Sequence, residues 1–306
     1  MTEIYCSNCG MKNTKSNKFC TECKNVLKTE KIKYGKQIDS FKNLLTNENY
    51  EILCNTDFSE EAYNGILEEI RNKAFYSFKY DENKSALDNI INFASRYVHI
   101  NKKHKGSDYG YYIANEINID YRNPPSEIIA TIIHELTHHI YSEIFEQWLM
   151  YTFNIEKNKY LEVFVSFCLG TTIARIENEY VAHSVEGQYI LQGCQDYTSF
   201  YDLLNKNKIK KEDIFENLTY ANSVSDDISS IYDEMITESL RQEIIEQYIN
   251  DKPEHNSDDL YLEDDPKASV ENKLDNMKLI LQESFEDYLQ DKKECEKFLN
   301  EVLEYF

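Results

Sequence analysis

The sequence predicts a mainly helical α+β fold with a small sheet, preceded by a small metal-binding segment. Three observations lead to this prediction. Much of the chain after residue 57 shows the 3.6-residue apolar period of amphipathic helices. The stretch 111–120 instead alternates with the two-residue period of a strand. Near the start of the chain, four cysteines form two C-x-x-C pairs, a spacing typical of a tetrahedral metal site.

The composition is that of a globular protein with a sizeable core. Of the 306 residues, 41% are hydrophobic and 13% aromatic. No run of about 18 apolar residues is present, and the first residues lack a signal-peptide layout, so we expect a cytoplasmic protein without membrane contact. The net charge of −22 argues against a large nucleic-acid interface. Residues 1–36 differ, because they carry eight lysines and three glutamates.

The first predicted unit, residues 1–28, is organised by its cysteines. Two C-x-x-C turns ten residues apart can direct four thiolates at one ion, and metal binding would supply most of the folding free energy of so small a segment. Disulfide bonds are the alternative, but they need an oxidising compartment for which the sequence shows no targeting signal. We therefore predict one structural Zn²⁺ bound by four ligands: Cys6, Cys9, Cys20 and Cys23.

This segment resembles a known module. The stretches Tyr-Cys-Ser-Asn-Cys-Gly and Lys-Phe-Cys-Thr-Glu-Cys are similar to the short zinc ribbons at the N-termini of many bacterial proteins. The match covers roughly residues 4–27 and departs from the family at Lys24, where a second glycine is usual. The resemblance implies an adaptor, so a protein or nucleic-acid partner is expected at this basic ribbon.

The main chemical motif is H-E-x-x-H, formed by His134, Glu135 and His138. It follows two prolines and lies in a stretch with helical apolar spacing. Residues four apart share one face of a helix, so both imidazoles can reach one metal ion. Glu135 would lean over the open side of that metal and serve as general base. A surface helix with solvated histidines is the alternative interpretation.

The strand predicted over residues 111–120 directly precedes this helix. Strand, proline loop and H-E-x-x-H helix follow one another in the order found in zincin metallopeptidases, and the chain resembles that family. The resemblance implies a zinc-dependent metallopeptidase, which hydrolyses peptide bonds in a peptide or protein substrate by Glu-assisted attack of a zinc-bound water. It also implies that residues 112–119 line the substrate cleft by strand addition. An ordinary sheet strand would show the same alternation.

A catalytic zinc needs a third protein ligand and one open position. The stretch Asn178-Glu179-x-x-Ala182-His183 resembles the glutamate-ligand helix of thermolysin-like gluzincins, which implies Glu179 as the third ligand. The last position of that motif usually orients the first histidine. Here it is His183, whose role as support, substrate contact or ligand stays open. Glu186 and Glu177 are the alternative ligands, and a solvated acidic face is the remaining interpretation.

These patterns divide the chain into five predicted segments. They are a zinc ribbon over 1–28, a lysine-bearing linker over 29–56, a zincin-like metallopeptidase domain over 57–250, an acidic linker or loop over 251–267, and amphipathic helices over 268–306. We expect the C-terminal helices to pack on the catalytic domain. The isolated cysteines are predicted to be reduced thiols without a metal: Cys54, Cys168, Cys194 and Cys295.

The sequence thus favours a peptidase with one catalytic and one structural Zn²⁺, and leaves two alternatives open. One is a regulatory peptidase with a single dedicated substrate, a repressor or a DNA-associated protein, to which the ribbon brings the enzyme. The other is a non-enzymatic interaction module whose zinc stabilises the fold. Glu135 argues against the second alternative, because a structural zinc site has no use for a neighbouring base.

Overall fold

The computed structural model describes residues 3–5, 12–14, 38–102, 109–252 and 270–306. Within them, the predicted mainly helical α+β fold is confirmed. The helices are α1 (Phe41–Leu44), α2 (Asn47–Asn55), α3 (Glu60–Phe75), α4 (Ala86–Ala94), α5 (Pro125–Phe153), α6 (Lys159–Cys168), α7 (Thr172–Gly187), α8 (Thr198–Asn207), α9 (Phe215–Asp233), α10 (Glu238–Asp251), α11 (Val270–Gln290) and α12 (Lys292–Leu303), with a 3-10 turn at Lys211–Ile214. The strands are β1 (Glu3–Tyr5), β2 (Lys12–Thr14), β3 (His99–Asn101), β4 (Gly110–Ile113) and β5 (Glu116–Ile119).

Several predictions fall outside the described residues. The four cysteines of the predicted structural zinc site lie there, as do residues 253–267 of the acidic segment and 29–37 of the linker. Of the ribbon segment, the structure describes the antiparallel pairing of β1 with β2, in which Glu3 is opposite Thr14.

The long central helix, α5, organises the fold. It is 29 residues long and packs against α3, α4, α6, α7, α10 and the sheet. Pro125 occupies its first turn, where the missing N–H costs no hydrogen bond. The backbone N–H of Ser126 donates to Asp251 Oδ2 at 2.9 Å, which places a carboxylate from the end of α10 at the positive end of the α5 dipole.

The single strand predicted over residues 111–120 is wrong, because the chain forms a hairpin there. Ala114 and Asn115 have φ values of 50° and 59°, which reverse the chain between β4 and β5. A two-residue turn of this handedness matches the twist of the strands it joins. The sequence lacks the glycine that usually marks such a turn. The sheet order is β3-β5-β4, which leaves β4 at an edge.

The glutamate-bearing helix α7 packs against both α5 and α9. This contact brings the residues after Glu177 opposite the H-E-x-x-H turn of α5.

The segment predicted as a linker, residues 29–56, is helical from residue 41 onward. The side chains of Phe41, Leu44 and Leu53 are buried in the same apolar core as α5. Lys278 of α11 donates to the carbonyls of Cys54 and Thr56, both at 2.9 Å. The C-terminal helix α11 therefore packs on α2, and it also contacts α6 and α9.

Two further predictions concern the whole described part of the chain. Its four described cysteines form no disulfide. Among the helices that the structure describes, none combines the length and the apolar character that crossing a membrane requires.

Candidate metal centre

Helices α5 and α7 bring the three predicted ligands of the catalytic metal together. The Nε2 atoms of His134 and His138 lie 3.1 Å apart. Glu179 Oε2 lies 3.5 Å from His134 Nε2, and its Oε1 lies 3.8 Å from His138 Nε2. A zinc ion with ligands at about 2.0–2.1 Å in a tetrahedron would separate them by about 3.3 Å. The group is therefore spaced so that it could hold one metal ion.

The hydrogen bonds of the two imidazoles orient their Nε2 atoms for metal binding. His134 Nδ1 lies 3.0 Å from Glu186 Oε2, and His138 Nδ1 lies 2.9 Å from Asn178 Oδ1. A carboxylate only accepts hydrogen bonds, so His134 carries its proton on Nδ1. The same arrangement at His138 leaves both Nε2 lone pairs directed at the shared point. Such hydrogen bonds are the usual supports of metal-binding histidines.

The charge around this point is negative. Within the described residues, Glu135, Glu179 and Glu186 form no ion pair with lysine or arginine, and the ion-pair partners of Glu179 and Glu186 are histidines. Burial alone would lower the pKa of His134, but hydrogen bonds to Glu179 and Glu186 outweigh burial and raise this pKa well above its ordinary value. The cluster therefore attracts positive charge, and a divalent cation would offset the buried carboxylates.

Glu135 differs from the other two carboxylates. It is 9% exposed and lines the cleft beside His134 and His138. Burial is the main cause that raises the pKa of Glu135, while the two histidines oppose the shift. For Glu179, by contrast, the histidines outweigh burial and hold the pKa well below its ordinary value. A raised pKa suits a group that must accept and release a proton.

The structure places His183 beside Glu179. Its Nε2 lies 2.7 Å from Ser199 Oγ, and that hydroxyl donates to Glu179 Oε2 at 2.9 Å. His183 therefore supports the carboxylate ligand through Ser199. The position that orients His134 is taken by Glu186, three residues later, whose Oε2 lies 3.0 Å from Nδ1 of that ring. The prediction of Glu186 as an alternative ligand stays a prediction. In the sequence, the helical spacing of Glu179, His183 and Glu186 indicates that Glu186 lies on the same face of α7 as the predicted ligand.

A second group of possible metal ligands overlaps with the first. His134, His183 and Glu186 also offer ligand atoms within 4.8 Å of one another. The Glu186 carboxylate approaches His134 at Nδ1, whereas Glu179 approaches the same ring at Nε2. Binding one ion in each group would require His134 to lose both ring protons. We therefore take the group around Nε2, next to Glu135, as the metal centre.

The other alternative ligand, Glu177, points away from this centre. Its Oε1 accepts a hydrogen bond from Asn217 Nδ2 at 2.8 Å, and its Oε2 accepts one from Asn276 Nδ2 at 2.9 Å. Burial raises the pKa of Glu177 to about 7, although both amides oppose the shift. Its carboxyl group thus joins α7 to α9 and α11.

The metal centre lies in a cleft of about 890 Å³. One wall is the edge strand β4 and the turn after it, and residues of α7 and α8 form the opposite wall. The prediction that residues 112–119 line the cleft holds for 112–114, whereas Ile117 and Ile119 are fully buried behind β4. At Gly110 a Cβ would lie 2.6 Å from Asn118 O and 2.7 Å from Thr131 Cγ2, so glycine lets β4 pack closely on α5.

Comparisons with known proteins leave the site to be interpreted from its own chemistry. A scan against protein-family models, a search of curated proteins and a search of solved structures found no match to the chain.

Proposed function

We propose that the chain is a zinc-dependent metallopeptidase. The observation that carries the proposal is the set formed by His134 Nε2, His138 Nε2 and the Glu179 carboxylate, with the buried carboxylate of Glu135 beside it. Two imidazoles and one carboxylate leave a tetrahedral ion one open position, which is the donor set of catalytic zinc sites.

The side chains have separate roles in this mechanism. A zinc ion bound there would supply Lewis acidity, which activates water and polarises the scissile carbonyl. Glu135 accepts the proton of the attacking water and passes it to the leaving amine. Glu186 and Asn178 keep the two imidazoles in the tautomer that binds metal. Among the described strands, β4 lies at the edge of its sheet, the position at which an extended peptide would add as a further strand.

Peptide hydrolysis with and without Glu135 tests the proposal. The zinc-loaded wild type and Glu135→Gln would be incubated with a diverse peptide library, and the products identified by mass spectrometry. We expect cleavage by the wild type and a loss of at least about a hundredfold in kcat for Glu135→Gln, because general-base catalysis contributes that much or more. Both proteins should contain the same amount of zinc.

Glu177→Gln is the matched control for this experiment. It makes the same carboxylate-to-amide change on the ligand-bearing helix, but at a side chain that faces α9 and α11. We expect it to keep the wild-type kcat. Retention of activity by zinc-replete Glu135→Gln would refute the mechanism, and absence of cleavage by every zinc-loaded form, with protein substrates included, would refute the peptidase.

A further inference from the structure

Tyr112 joins the edge strand β4 to helix α5. It lines the same cleft as Glu135. Its hydroxyl group lies 3.1 Å from His139 Nδ1, and the two rings meet edge to face with centroids 5.5 Å apart. One residue therefore lines the cleft that holds the proposed base and contacts His139 of α5 through its side chain.

The environment of His139 is buried. The residue is 3% exposed, and its Nε2 lies 3.6 Å from Glu143 Oε2, without a hydrogen-bond partner among the described residues. Glu143 is buried as well and forms an ion pair with Lys73 of α3. The Tyr112 hydroxyl donates to Asn115 Oδ1 at 3.2 Å, so the His139 ring proton lies on Nδ1 and is donated to the Tyr112 oxygen. Moving the imidazole would break this buried hydrogen bond, which is costly.

The turn after β4 has a second polar contact with the helices. Asn115 Nδ2 donates to Glu162 Oε1 at 3.2 Å, and Lys157 Nζ lies 3.2 Å from the same oxygen. The Asn115 amide therefore ties the turn to α6, and its Oδ1 accepts the hydrogen bond of the Tyr112 hydroxyl. The contact of Tyr112 with His139 ties β4 itself to α5.

We propose that His139 is a positioning residue: through the Tyr112 hydroxyl it fixes β4 against α5, so that the strand edge and Glu135 keep the geometry that an extended peptide needs. This inference rests on the proposed peptidase function. It assigns His139 no contact with the metal or with the substrate.

Four variants separate positioning from simple support of the core. Tyr112→Phe removes the hydroxyl and keeps the ring. His139→Leu removes the N–H donor, whereas His139→Asn restores an N–H donor bonded to Cγ, as Nδ1 is. Tyr97→Phe is the matched control, because its hydroxyl is buried without a hydrogen-bond partner among the described residues. The kinetic substrate is an octapeptide taken from the cleavage sites of the wild type.

We expect KM for the octapeptide to rise about five- to tenfold in Tyr112→Phe and His139→Leu, as follows from the loss of one buried hydrogen bond that holds the substrate strand. Zinc content should be unchanged. Hydrogen exchange of the amides in residues 110–113 should accelerate in the same two variants. His139→Asn and Tyr97→Phe should stay near the wild type in both measurements.

The proposal is overturned if Tyr112→Phe and His139→Leu keep the wild-type KM and exchange rates while folded, or if His139→Asn is as impaired as His139→Leu. Lower melting temperatures with unchanged KM and exchange would show support of the core alone. If the wild type cleaves no peptide, the proposed function fails, and unchanged exchange in β4 would still overturn the positioning role separately.

Discussion

Helix α5 carries two polar clusters that contain the same residue types but differ in how their charges are balanced. The cleft cluster consists of His134, Glu135 and His138 with Glu179 and Glu186 from α7. The rear cluster is made up of His139, Glu143 and Glu146, with Lys73 and Lys157. Both are mostly buried, and on α5 the last residue of the cleft cluster, His138, directly precedes the first residue of the rear cluster, His139.

The difference between the clusters lies in their cations. In the rear cluster, Lys73 pairs with Glu143, and Lys157 Nζ lies 2.6 Å from Glu146 Oε2. Among the described residues, no lysine or arginine pairs with a carboxylate of the cleft cluster, and the ion-pair partners of Glu179 and Glu186 are histidines. A buried carboxylate needs a compensating charge. The rear cluster therefore contains its own cations, whereas the cleft cluster could bind a metal cation from solution.

The histidines show the same contrast. Burial lowers the pKa of His139 to about 4, with Glu143 too weak to reverse the shift. At His134, hydrogen bonds to the carboxylates of Glu179 and Glu186 outweigh burial and raise the pKa above its ordinary value. Two histidines of one helix thus differ. His139 is a neutral hydrogen-bonding group and His134 is a candidate metal ligand, because the groups around the two rings differ.

The largest expected effect comes from replacing neighbouring histidines. His138→Gln should weaken zinc binding at the cleft cluster by more than about a hundredfold, since it removes a direct ligand and not merely a support. His139→Gln should leave zinc binding unchanged, because its ring faces Tyr112 and Glu143. Metal analysis after dialysis against a chelator should show one zinc per chain fewer in His138→Gln alone. Equal zinc loss in both variants would contradict the division into two clusters.

Replacing the group that orients His134 should weaken zinc binding by a smaller factor. Glu186→Gln should weaken zinc binding by about ten- to a hundredfold, which is the usual cost of losing a group that orients a metal-binding histidine. The amide cannot accept the Nδ1 proton as strongly as a carboxylate does. Glu177→Gln, on the same helix, should leave zinc affinity unchanged. Competition with a chromophoric chelator measures both affinities, and an unaffected Glu186→Gln would exclude the proposed support.

Much of this site was predictable from the sequence, and the remainder has physical reasons for being missed. The helical spacing of H-E-x-x-H predicts the two proposed histidine ligands and the proposed base, and the resemblance around Glu179 predicts the third proposed ligand. The support by Glu186 depends on how α7 faces α5. Helical spacing shows that Glu186 shares a face of α7 with Glu179, but it does not show which of these residues contacts which ring nitrogen of His134. The hairpin was missed because Ala114 and Asn115 adopt positive φ without a glycine. The contact of Tyr112 with His139 depends on that hairpin.

The smallest expected effect concerns the rear cluster and pH. Burial outweighs Lys157 and raises the pKa of Glu146 from its ordinary 4.5 to about 7, with Glu162 and Glu143 contributing. The folded protein then holds a proton that the unfolded chain releases, so this stabilising contribution is complete below pH 4.5 and is lost as the pH rises through about 7.

Urea unfolding at several pH values measures this contribution. Between pH 5 and 7.5 the wild type should lose about 1–2 kcal/mol through Glu146. Glu146→Gln should flatten the dependence without removing it, because the pKa of Glu177 is also raised to about 7. An unchanged slope in Glu146→Gln would show that the carboxyl group is charged at all these pH values, as Lys157 alone would make it.

X-ray absorption at the zinc edge tests the central claim most directly. In a full-length variant with serine at four positions, Cys6, Cys9, Cys20 and Cys23, the spectrum would report the cleft cluster alone. We expect one zinc per chain with nitrogen and oxygen ligands at about 2.0–2.2 Å, two of them imidazoles, and one imidazole fewer after His138→Gln. No retained zinc, or a spectrum that His138→Gln leaves unchanged, would contradict the proposal that the cleft cluster binds zinc.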